Sequence, residues 1–381
     1  MKNMLDNKLS YPLSFNTWNH KEYNAVVRLL KTGNLTYGKY TKQFEKNFSK
    51  HFNYKYSVFV NSGSSANLLA IASLFYSGKI KAGDEVIVPS VSWSTTYSPL
   101  IQFNLNIKVV DVDLETLNYS ELDLQNNINK KTKLVIAVNL LGNPNNFKLI
   151  KKLQNKYKFI LFEDNCESLG AKYNNKYTGN FGIMCSNSFF FSHHMSTIEG
   201  GMVSTNNLKL YKYLVSLRSH GWDREFSKKN NFYSKFNFIL PGYNLRPTEI
   251  NAVVGIIQLK KINQFNKIRK QNAKYFYEKF KNNKIYYIQK EIGESSWFGF
   301  SLITKDKKIN RDKIINLLKK NKVDVRPIVC GDVTKNSFFK YANSTSSNLK
   351  NAKMIHKHGF FVGNNPIDLK KQIDMLHKIL I

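Results

Sequence analysis

The chain has 381 residues, with 58 Lys or Arg against 26 Asp or Glu, which gives a formal net charge of +32 at pH 7. Its 42% hydrophobic and 14% aromatic content exclude an intrinsically disordered protein, and no run of about 20 apolar residues predicts a transmembrane helix. Basic residues are spread along the chain without a basic arm or zinc-ligand spacing, so we attribute the charge to composition, with a secondary benefit toward an anionic substrate, and expect no nucleic-acid or membrane partner.

Short runs of β-branched residues alternate with helical stretches from about Tyr56 onward. This alternation is typical of a mainly parallel β-sheet with helices on both faces. The near-continuous apolar character of the runs suits strands that are buried on both sides. The predicted strands are Ser57–Val60, Glu85–Val88, Ile107–Val112, Leu134–Val138, Phe159–Phe162, Ser188–Phe191 and Met202–Ser204.

A long helix is predicted from Pro247 to about Phe280, because apolar residues recur at helical spacing in its first half. The segments after it predict a small α+β domain at the C-terminus. They are a strand at Trp297–Leu302, a helix at Arg311–Asn321 and an extended piece at Val323–Ile328. We therefore expect a large domain over residues 1–265 and a small one over residues 266–381.

The motif Asn61-Ser-Gly63-Ser64-Ser65-Ala-Asn67 follows a predicted strand and opens a helix. Free N–H groups at a helix start favour a phosphate, and glycine permits close approach of the backbone to a ligand. Small polar residues begin many helices, so this motif alone is a weak signal of a phosphate site.

Two further motifs lie at predicted strand ends, where ligands bind in open parallel sheets. Trp93 could present an aromatic face to a ligand or could be a buried core residue. Asp164, in Phe162-Glu-Asp164-Asn-Cys-Glu167, could be a ligand-binding carboxylate or part of a simple turn.

The segment Ser188-Phe-Phe-Phe-Ser-His193-His-Met-Ser-Thr-Ile-Glu199-Gly-Gly contains no lysine, and neither Lys nor Arg occurs from Tyr177 to Leu208. Together with the motifs above, this segment resembles the cofactor segment of the DegT/DnrJ/EryC1/StrS sugar aminotransferases, which use pyridoxal 5'-phosphate (PLP). Those enzymes carry a lysine six residues before the Glu-Gly-Gly, where this chain has His193. The resemblance covers nearly the whole chain, from Gly38-Lys-Tyr-Thr41 to the last helix.

The resemblance implies an α/β fold: an aspartate-aminotransferase-like (fold type I) large domain with a mainly parallel seven-stranded sheet, and a small α+β C-terminal domain. It also implies contacts to the cofactor. Ser64, Ser65 and Ser188 would contact the phosphate, Trp93 the ring face, Asp164 the ring nitrogen and Glu167 the ring hydroxyl. Pro241-Gly-Tyr-Asn244 resembles the loop whose Asn reaches the phosphate in the neighbouring subunit, which implies a homodimer with shared sites.

Two departures from the family pattern, His193 for Lys and Glu167 for Gln or His, resemble its dehydratase branch. That branch implies removal of the C3 hydroxyl from a nucleotide-linked 4-keto-6-deoxy sugar. PLP would become pyridoxamine 5'-phosphate (PMP) at the expense of L-glutamate, and ammonia would be released. An imidazole cannot anchor the cofactor covalently, but its pKa near ~6.5 suits a base. His194 is the rival base. We expect His194, His220 and Arg326 near the substrate, although Arg326 could equally be a surface residue.

Other interpretations stay open from the sequence. The chain could be a nucleotide-sugar aminotransferase that tolerates the histidine, or a non-catalytic member of the family in which both histidines are structural. A related histidine-bearing branch holds an iron–sulfur cluster, which needs about four thiolates. This chain has three cysteines without paired spacing, so we expect no cluster and no metal. The cysteines and the absence of an apolar leader predict a cytoplasmic protein. The nucleotide and the sugar stereochemistry are not determined.

Overall fold

Two β-sheets organise the chain in the computed structural model, which describes residues 9–226, 232 and 236–381. The strands within these residues are β1 (Tyr56–Val60), β2 (Glu85–Pro89), β3 (Asn106–Val110), β4 (Thr132–Val138), β5 (Ile160–Asp164), β6 (Lys172–Tyr173), β7 (Lys176–Tyr177), β8 (Met184–Ser188), β9 (Gly201–Thr205), β10 (Tyr286–Ile288), β11 (Gly299–Thr304), β12 (Val325–Arg326), β13 (Ser344–Ser346) and β14 (Gly359–Gly363). The helices are α1 (His20–Leu30), α2 (Lys39–Phe52), α3 (Gly63–Tyr76), α4 (Ser94–Gln102), α5 (Glu121–Asn127), α6 (Phe147–Tyr157), α7 (Leu208–Arg218), α8 (Glu249–Phe280), α9 (Arg311–Lys320), α10 (Lys350–His358) and α11 (Lys370–Leu380).

The larger sheet has the strand order β1-β9-β8-β5-β4-β2-β3-β13. Neighbouring strands run parallel except at β9, which is antiparallel to both β1 and β8. The predicted mainly parallel sheet is therefore confirmed. It contains an eighth strand, β13, that returns from the C-terminal part of the chain. The sequence of β13, Ser-Thr-Ser, is polar and exposed, so this strand could not be predicted from a hydrophobic pattern.

One predicted strand was wrong in its position. The strand predicted at Ser188–Phe191 is β8 and ends at Ser188, where the chain turns into a loop. Aromatic residues have high strand propensity, which favoured Phe189–Phe191, whereas β8 itself reads Met-Cys-Ser-Asn-Ser. Its small and polar side chains are nevertheless all buried between neighbouring strands and helices. Tertiary packing therefore overrides the local propensity here.

Side chains alternate between the two faces of the larger sheet, as the two-residue period of a strand requires. Val86 and Val88 of β2 join a core under α3, α4 and α7, whereas Ile87 joins a second core with Phe147 of α6. Both faces are covered, which explains the continuous apolar runs. The layers leave the carboxyl ends of β4 and β5 and the start of α3 at one edge of the sheet.

The smaller sheet is antiparallel, in the order β10-β11-β14-β12. Its core also holds Phe276 and Phe280 from the last turns of α8, and Tyr11 from the N-terminal segment. The long helix is confirmed, and it begins one residue after its N-cap Thr248. Because α8 is continuous through residue 265, the two predicted domains share this helix, and the boundary itself stays a prediction.

In the part of the chain that the structure describes, no helix is both long and apolar enough to cross a bilayer. The cytoplasmic location stays a prediction.

Candidate active site

A cavity of about 410 Å³ lies at the carboxyl ends of β4 and β5, between the two sheets. It brings together residues that are far apart in sequence and that belong to strands and loops of both sheets. Seven of the predicted site residues line it: Ser64, Trp93, Asp164, Glu167, Ser188, His193 and Arg326. The position agrees with the general rule that ligands bind beyond the carboxyl ends of parallel strands.

Asp164 is the last residue of β5, and its carboxylate is buried at the floor of the cavity. The side-chain amide of Asn67 donates to Asp164 Oδ2 at 2.9 Å, and the Thr96 hydroxyl donates to the same oxygen at 2.8 Å. The Cys166 N–H donates to Oδ1 at 3.2 Å. Three donors from three segments thus hold the carboxylate in one orientation.

The start of α3 forms the end of the cavity that suits an anion. Ser62 caps the helix by accepting from the Ser65 N–H at 3.0 Å, and the side of this first turn faces the cavity through Gly63 and Ser64. A side chain at Gly63 would come within 2.5 Å of Ser188 Cβ, so glycine is required for Ser188 to sit against the helix start. Hydroxyls and helix N–H groups together are the donors that a phosphate prefers.

Trp93 is the N-cap residue of α4, and 59% of its surface is exposed. A buried core tryptophan, the alternative considered from the sequence, is therefore excluded. Because the indole lines the cavity, it offers a flat aromatic face to a planar ligand.

Glu167 lies close behind Asp164 on the wall of the cavity. The Leu141 N–H donates to Glu167 Oε2 at 3.0 Å. Burial raises the pKa of Glu167 to about 7, against this hydrogen bond, and the Asp164 charge adds to the increase. A carboxyl group with this pKa exchanges a proton near neutral pH and can both donate and accept a hydrogen bond.

His193 lines the cavity, with its ring edge-on to Phe298 at a centroid distance of 5.1 Å. Its Nδ1 is buried and has no hydrogen-bond partner within residues 9–226, 232 and 236–381, so Nε2 is the nitrogen that the cavity can reach. Burial lowers the pKa of His193 to about 3, and the neighbouring Arg269 cation contributes further. The imidazole is therefore neutral near pH 7, in the form that accepts a proton.

The structure places the rival base elsewhere. His194 is 1% exposed, and its Nε2–H donates to the Ser296 carbonyl at 3.2 Å, behind the cavity wall.

Arg326 reaches the cavity rim but also pairs with Asp324. Ser65 lies one layer back, where its hydroxyl accepts from Ser62 at 2.9 Å.

Asn244 and His220 lie outside this cavity in the single chain. Asn244 lines a separate surface depression of about 950 Å³ together with Lys39, Arg224 and Arg246. The His220 N–H donates to the Tyr243 carbonyl at 2.7 Å, and the residue is exposed beside the same loop. The role of Asn244 in a neighbouring subunit's site stays a prediction.

Sequence reasoning missed the residues that orient the carboxylates. Asn67 stands in the helix-opening motif, and that motif was interpreted only as a phosphate site. Thr96 and Leu141 carry no signal that the sequence alone could reveal, because their contacts depend on how α4 and the loop after β4 pack against β5.

The residues present fit a PLP-like cofactor. The cavity offers an anion-binding helix start, an aromatic face and an oriented carboxylate, and the His193 imidazole also lines it. The roles of the individual residues toward that cofactor stay proposals. Within the described ranges, no three His, Cys, Asp or Glu side chains come together as a metal site.

The family is shown by comparison with known proteins. Residues 16–369 match the model of the DegT/DnrJ/EryC1/StrS aminotransferase family, and the chain belongs to this family. Its fold is that of the PLP-dependent aminotransferases, as the resemblance implied.

Among its relatives, the GDP-4-keto-6-deoxy-D-mannose 3-dehydratase of Escherichia coli O55:H7 is 46% identical over 386 residues, covering 98% of this chain and all of that one. The solved structure of the E. coli enzyme with bound hydrated PLP has a TM-score of 0.96 at 46% identity and covers 98% of this chain and 100% of its own. A structure of GDP-4-keto-6-deoxymannose 3-dehydratase with a trapped PLP-glutamate geminal diamine has a TM-score of 0.95 at 45% identity, with 97% and 100% coverage.

Proposed function

We propose that this protein is a PLP- and PMP-dependent 3-dehydratase that removes the C3 hydroxyl of a nucleotide-linked 4-keto-6-deoxy sugar, with L-glutamate as amino donor. One observation carries the proposal: His193, a base that is not an amine, lines a cavity that otherwise keeps the family's cofactor constellation. An imidazole can move a proton but cannot hold the cofactor covalently. GDP-4-keto-6-deoxymannose, the sugar named for the relatives above, is the first substrate to test.

The proposed overall reaction balances. Loss of the C3 hydroxyl at constant C4 oxidation level is a two-electron reduction of the sugar. Glutamate supplies the electrons by becoming 2-oxoglutarate, its nitrogen leaves as ammonia, and the water consumed by that step equals the water formed from the hydroxyl. When bound, the cofactor supplies an electron-withdrawing ring and carries the amino group from glutamate to the sugar's C4.

The residues divide the remaining work. The Asp164 carboxylate, held by Asn67 and Thr96, keeps a proton on the ring nitrogen. The neutral His193 Nε2 would remove a proton from the methylene carbon of PMP, the cofactor carbon that bears the amino group. Glu167, whose pKa burial raises to about 7, shares a hydrogen bond with the ring hydroxyl. Ser64 and Ser188 bind the phosphate, and Trp93 covers the ring and excludes water from one face.

A homodimer with shared sites forms part of the proposal. Asn244 lies outside the cavity of its own chain, so a second copy is needed to bring it to the phosphate. Because a two-fold dimer uses the same surfaces on both subunits, each copy would complete the other's site.

The decisive experiment is product analysis with a panel of nucleotide-linked 4-keto-6-deoxy sugars plus glutamate. We expect ammonia release and a 4-keto-3,6-dideoxy sugar without nitrogen, and the His193→Asn variant should release neither. An amino group retained on the product sugar would show an aminotransferase instead.

Borohydride reduction provides an independent check. After this treatment the cofactor should still be removable from the native protein by dialysis, whereas in His193→Lys it should be covalently fixed.

The shared site has its own test, in which two inactive variants are co-expressed. His193→Asn and Asn244→Ala are each expected to be inactive alone. Random pairing makes half of the dimers mixed, and each mixed dimer holds one intact site, so about a quarter of the native activity should return. No recovery from mixed dimers isolated with two tags would overturn the sharing of sites while leaving the reaction unaffected.

A further inference from the structure

Arg269, on α8, is a buried cation that has no counter-ion among the described residues. Its side chain is 2% exposed, and it forms no ion pair with any described residue. The guanidinium Nη2 donates to the His193 carbonyl at 3.5 Å, and Nε has no hydrogen-bond partner in the part of the chain that the structure describes. Burying an unpaired charge is strongly unfavourable, so the position of Arg269 beside a proposed catalytic residue points to a functional role.

The structure around Arg269 holds this charge behind the two histidines. The Asn364 side chain donates both to the Arg269 carbonyl at 3.0 Å and to the Trp297 carbonyl at 2.8 Å, which ties α8 to the segment after it. That segment continues through Phe298, whose ring packs against His193 and His194 at centroid distances of 5.1 and 5.7 Å. These contacts fix the main chain of α8 at Arg269 against the segment whose Phe298 ring packs on both imidazoles, and the guanidinium itself contacts the His193 carbonyl.

The other charged and titratable groups around His193 lie mainly on the cavity side. They are the carboxyl groups of Asp164, Glu167 and Glu199, the Cys166 thiol, the Arg326 guanidinium at the rim, and His194 next in sequence. Carboxylates favour a charged imidazole by attraction, whereas a nearby guanidinium disfavours it. Arg269 does not line the cavity, and although burial lowers the pKa of its guanidinium to about 9, the group stays charged at neutral pH.

We propose that Arg269 is a positioning residue for His193: it holds the His193 main chain and sets a fixed positive charge behind the ring, so that His193 meets the substrate as a neutral base. This role rests on the proposed function, since that function requires a proton acceptor at this position. Burial alone also lowers the pKa of His193, so the test must separate the two causes.

The first test uses no activity. Histidine-labelled protein without cofactor is titrated by NMR down to the lowest pH at which it stays folded, and the His193 ring is assigned by its loss in His193→Asn. In Arg269→Met we expect the titration midpoint of the His193 ring to rise by about one pH unit or more. The ring would then gain a proton at a pH at which the native ring is still neutral. An unchanged midpoint in Arg269→Met would overturn the proposal.

Lys270→Met is the matched control, because it removes a positive charge from the next residue on the same helix. Lys270 is partly exposed and pairs with Glu294 at 2.9 Å, so its loss should leave the His193 midpoint unchanged. Arg269→Lys, which keeps a cation, should stay close to native and covers the case in which Arg269→Met does not fold.

In the loaded enzyme, Arg269→Met should move the acid limb of the pH–rate profile to higher pH, whereas a merely structural role would lower the rate at every pH alike. The two hypotheses fail separately. A native protein that does not form the deoxygenated sugar contradicts the proposed function, whatever the NMR titration shows. An unmoved midpoint in an active enzyme contradicts only the role of Arg269.

Discussion

Asn67 and Asp164 join two separate parts of the fold through one hydrogen bond of 2.9 Å, from the amide near the start of α3 to the carboxylate at the end of β5. The Asn67 amide oxygen accepts in turn from the Ser186 hydroxyl of β8 at 2.5 Å. The helix that offers the proposed phosphate site is thereby coupled to the proposed ring-nitrogen carboxylate. The spacing between the two ends of the cofactor site depends on this link.

Replacing Asn67 by Ala should lower kcat roughly tenfold or more, because a hydrogen bond to a charged group contributes about 1.5–3 kcal/mol. Steady-state rates with the sugar and glutamate provide the measurement. Thr96→Val removes the other donor to the same oxygen and should act in the same direction. Since the two donors share one acceptor, the double variant should lose less than the product of the single losses. A native rate in Asn67→Ala would contradict the coupling.

Glu167→Gln should make the cofactor-free protein much more stable at pH 8 and more stable by less than about 1 kcal/mol at pH 5. Burial raises the folded-state pKa of Glu167 to about 7, above its ordinary value of 4.5. Between these two values the folded state binds more protons than the unfolded state, so native stability falls as pH rises through this window. The neutral amide avoids that cost, which approaches about 3.4 kcal/mol for a pKa difference of about 2.5.

Urea unfolding of both proteins at the two pH values measures this difference. Glu294→Gln is a suitable control, because Glu294 is partly exposed and pairs with Lys270, which lowers its pKa. It should not become more stable at pH 8. A Glu167→Gln advantage of equal size at pH 5 and pH 8 would show that packing, and not titration, is responsible.

Trp93→Ala should weaken cofactor binding roughly tenfold, because stacking and burial of an aromatic face contribute on the order of 1 kcal/mol or more. The indole is 59% exposed, so the free energy of unfolding should change by no more than about 0.5 kcal/mol. Absorbance titration with PLP measures the affinity. Trp93→Phe keeps an aromatic face and should bind with intermediate affinity. Equal affinity in all three proteins would exclude Trp93 as the stacking residue.

Gly63→Ala should destabilise the protein by about 1–3 kcal/mol and weaken cofactor binding, because the added methyl group would lie 2.5 Å from Ser188 Cβ. Combining it with Ser188→Gly removes that contact. The double variant should regain stability but should not regain affinity, since the proposed phosphate-binding hydroxyl is then missing. Thermal unfolding and PLP titration of the three variants distinguish the two effects. If the double variant binds PLP as tightly as the native protein, Ser188 does not bind the phosphate.

The sequence alone determined the layered α/β architecture and the chemical character of the site. Alternating β-branched runs and helical stretches depend on local hydrophobic periodicity, which is readable in one chain. The residue types at Trp93, Asp164 and His193 are likewise local facts. Their agreement with one family's spacing was enough to predict a single cavity with a histidine in the lysine position.

The tertiary structure decided what lies around those residues. The donors that orient Asp164 lie 97 and 68 positions away, and Arg269 lies 76 positions from the histidine that it contacts. Such contacts leave no periodic trace, because they depend on how helices and loops pack against strand ends. The same reason explains the shift of β8, the polar edge strand β13 and the separation of Asn244 from the cavity. Burial, which turns Glu167 into a group that titrates near pH 7 and His193 into a neutral base, is also a property of the packed molecule and not of residue order.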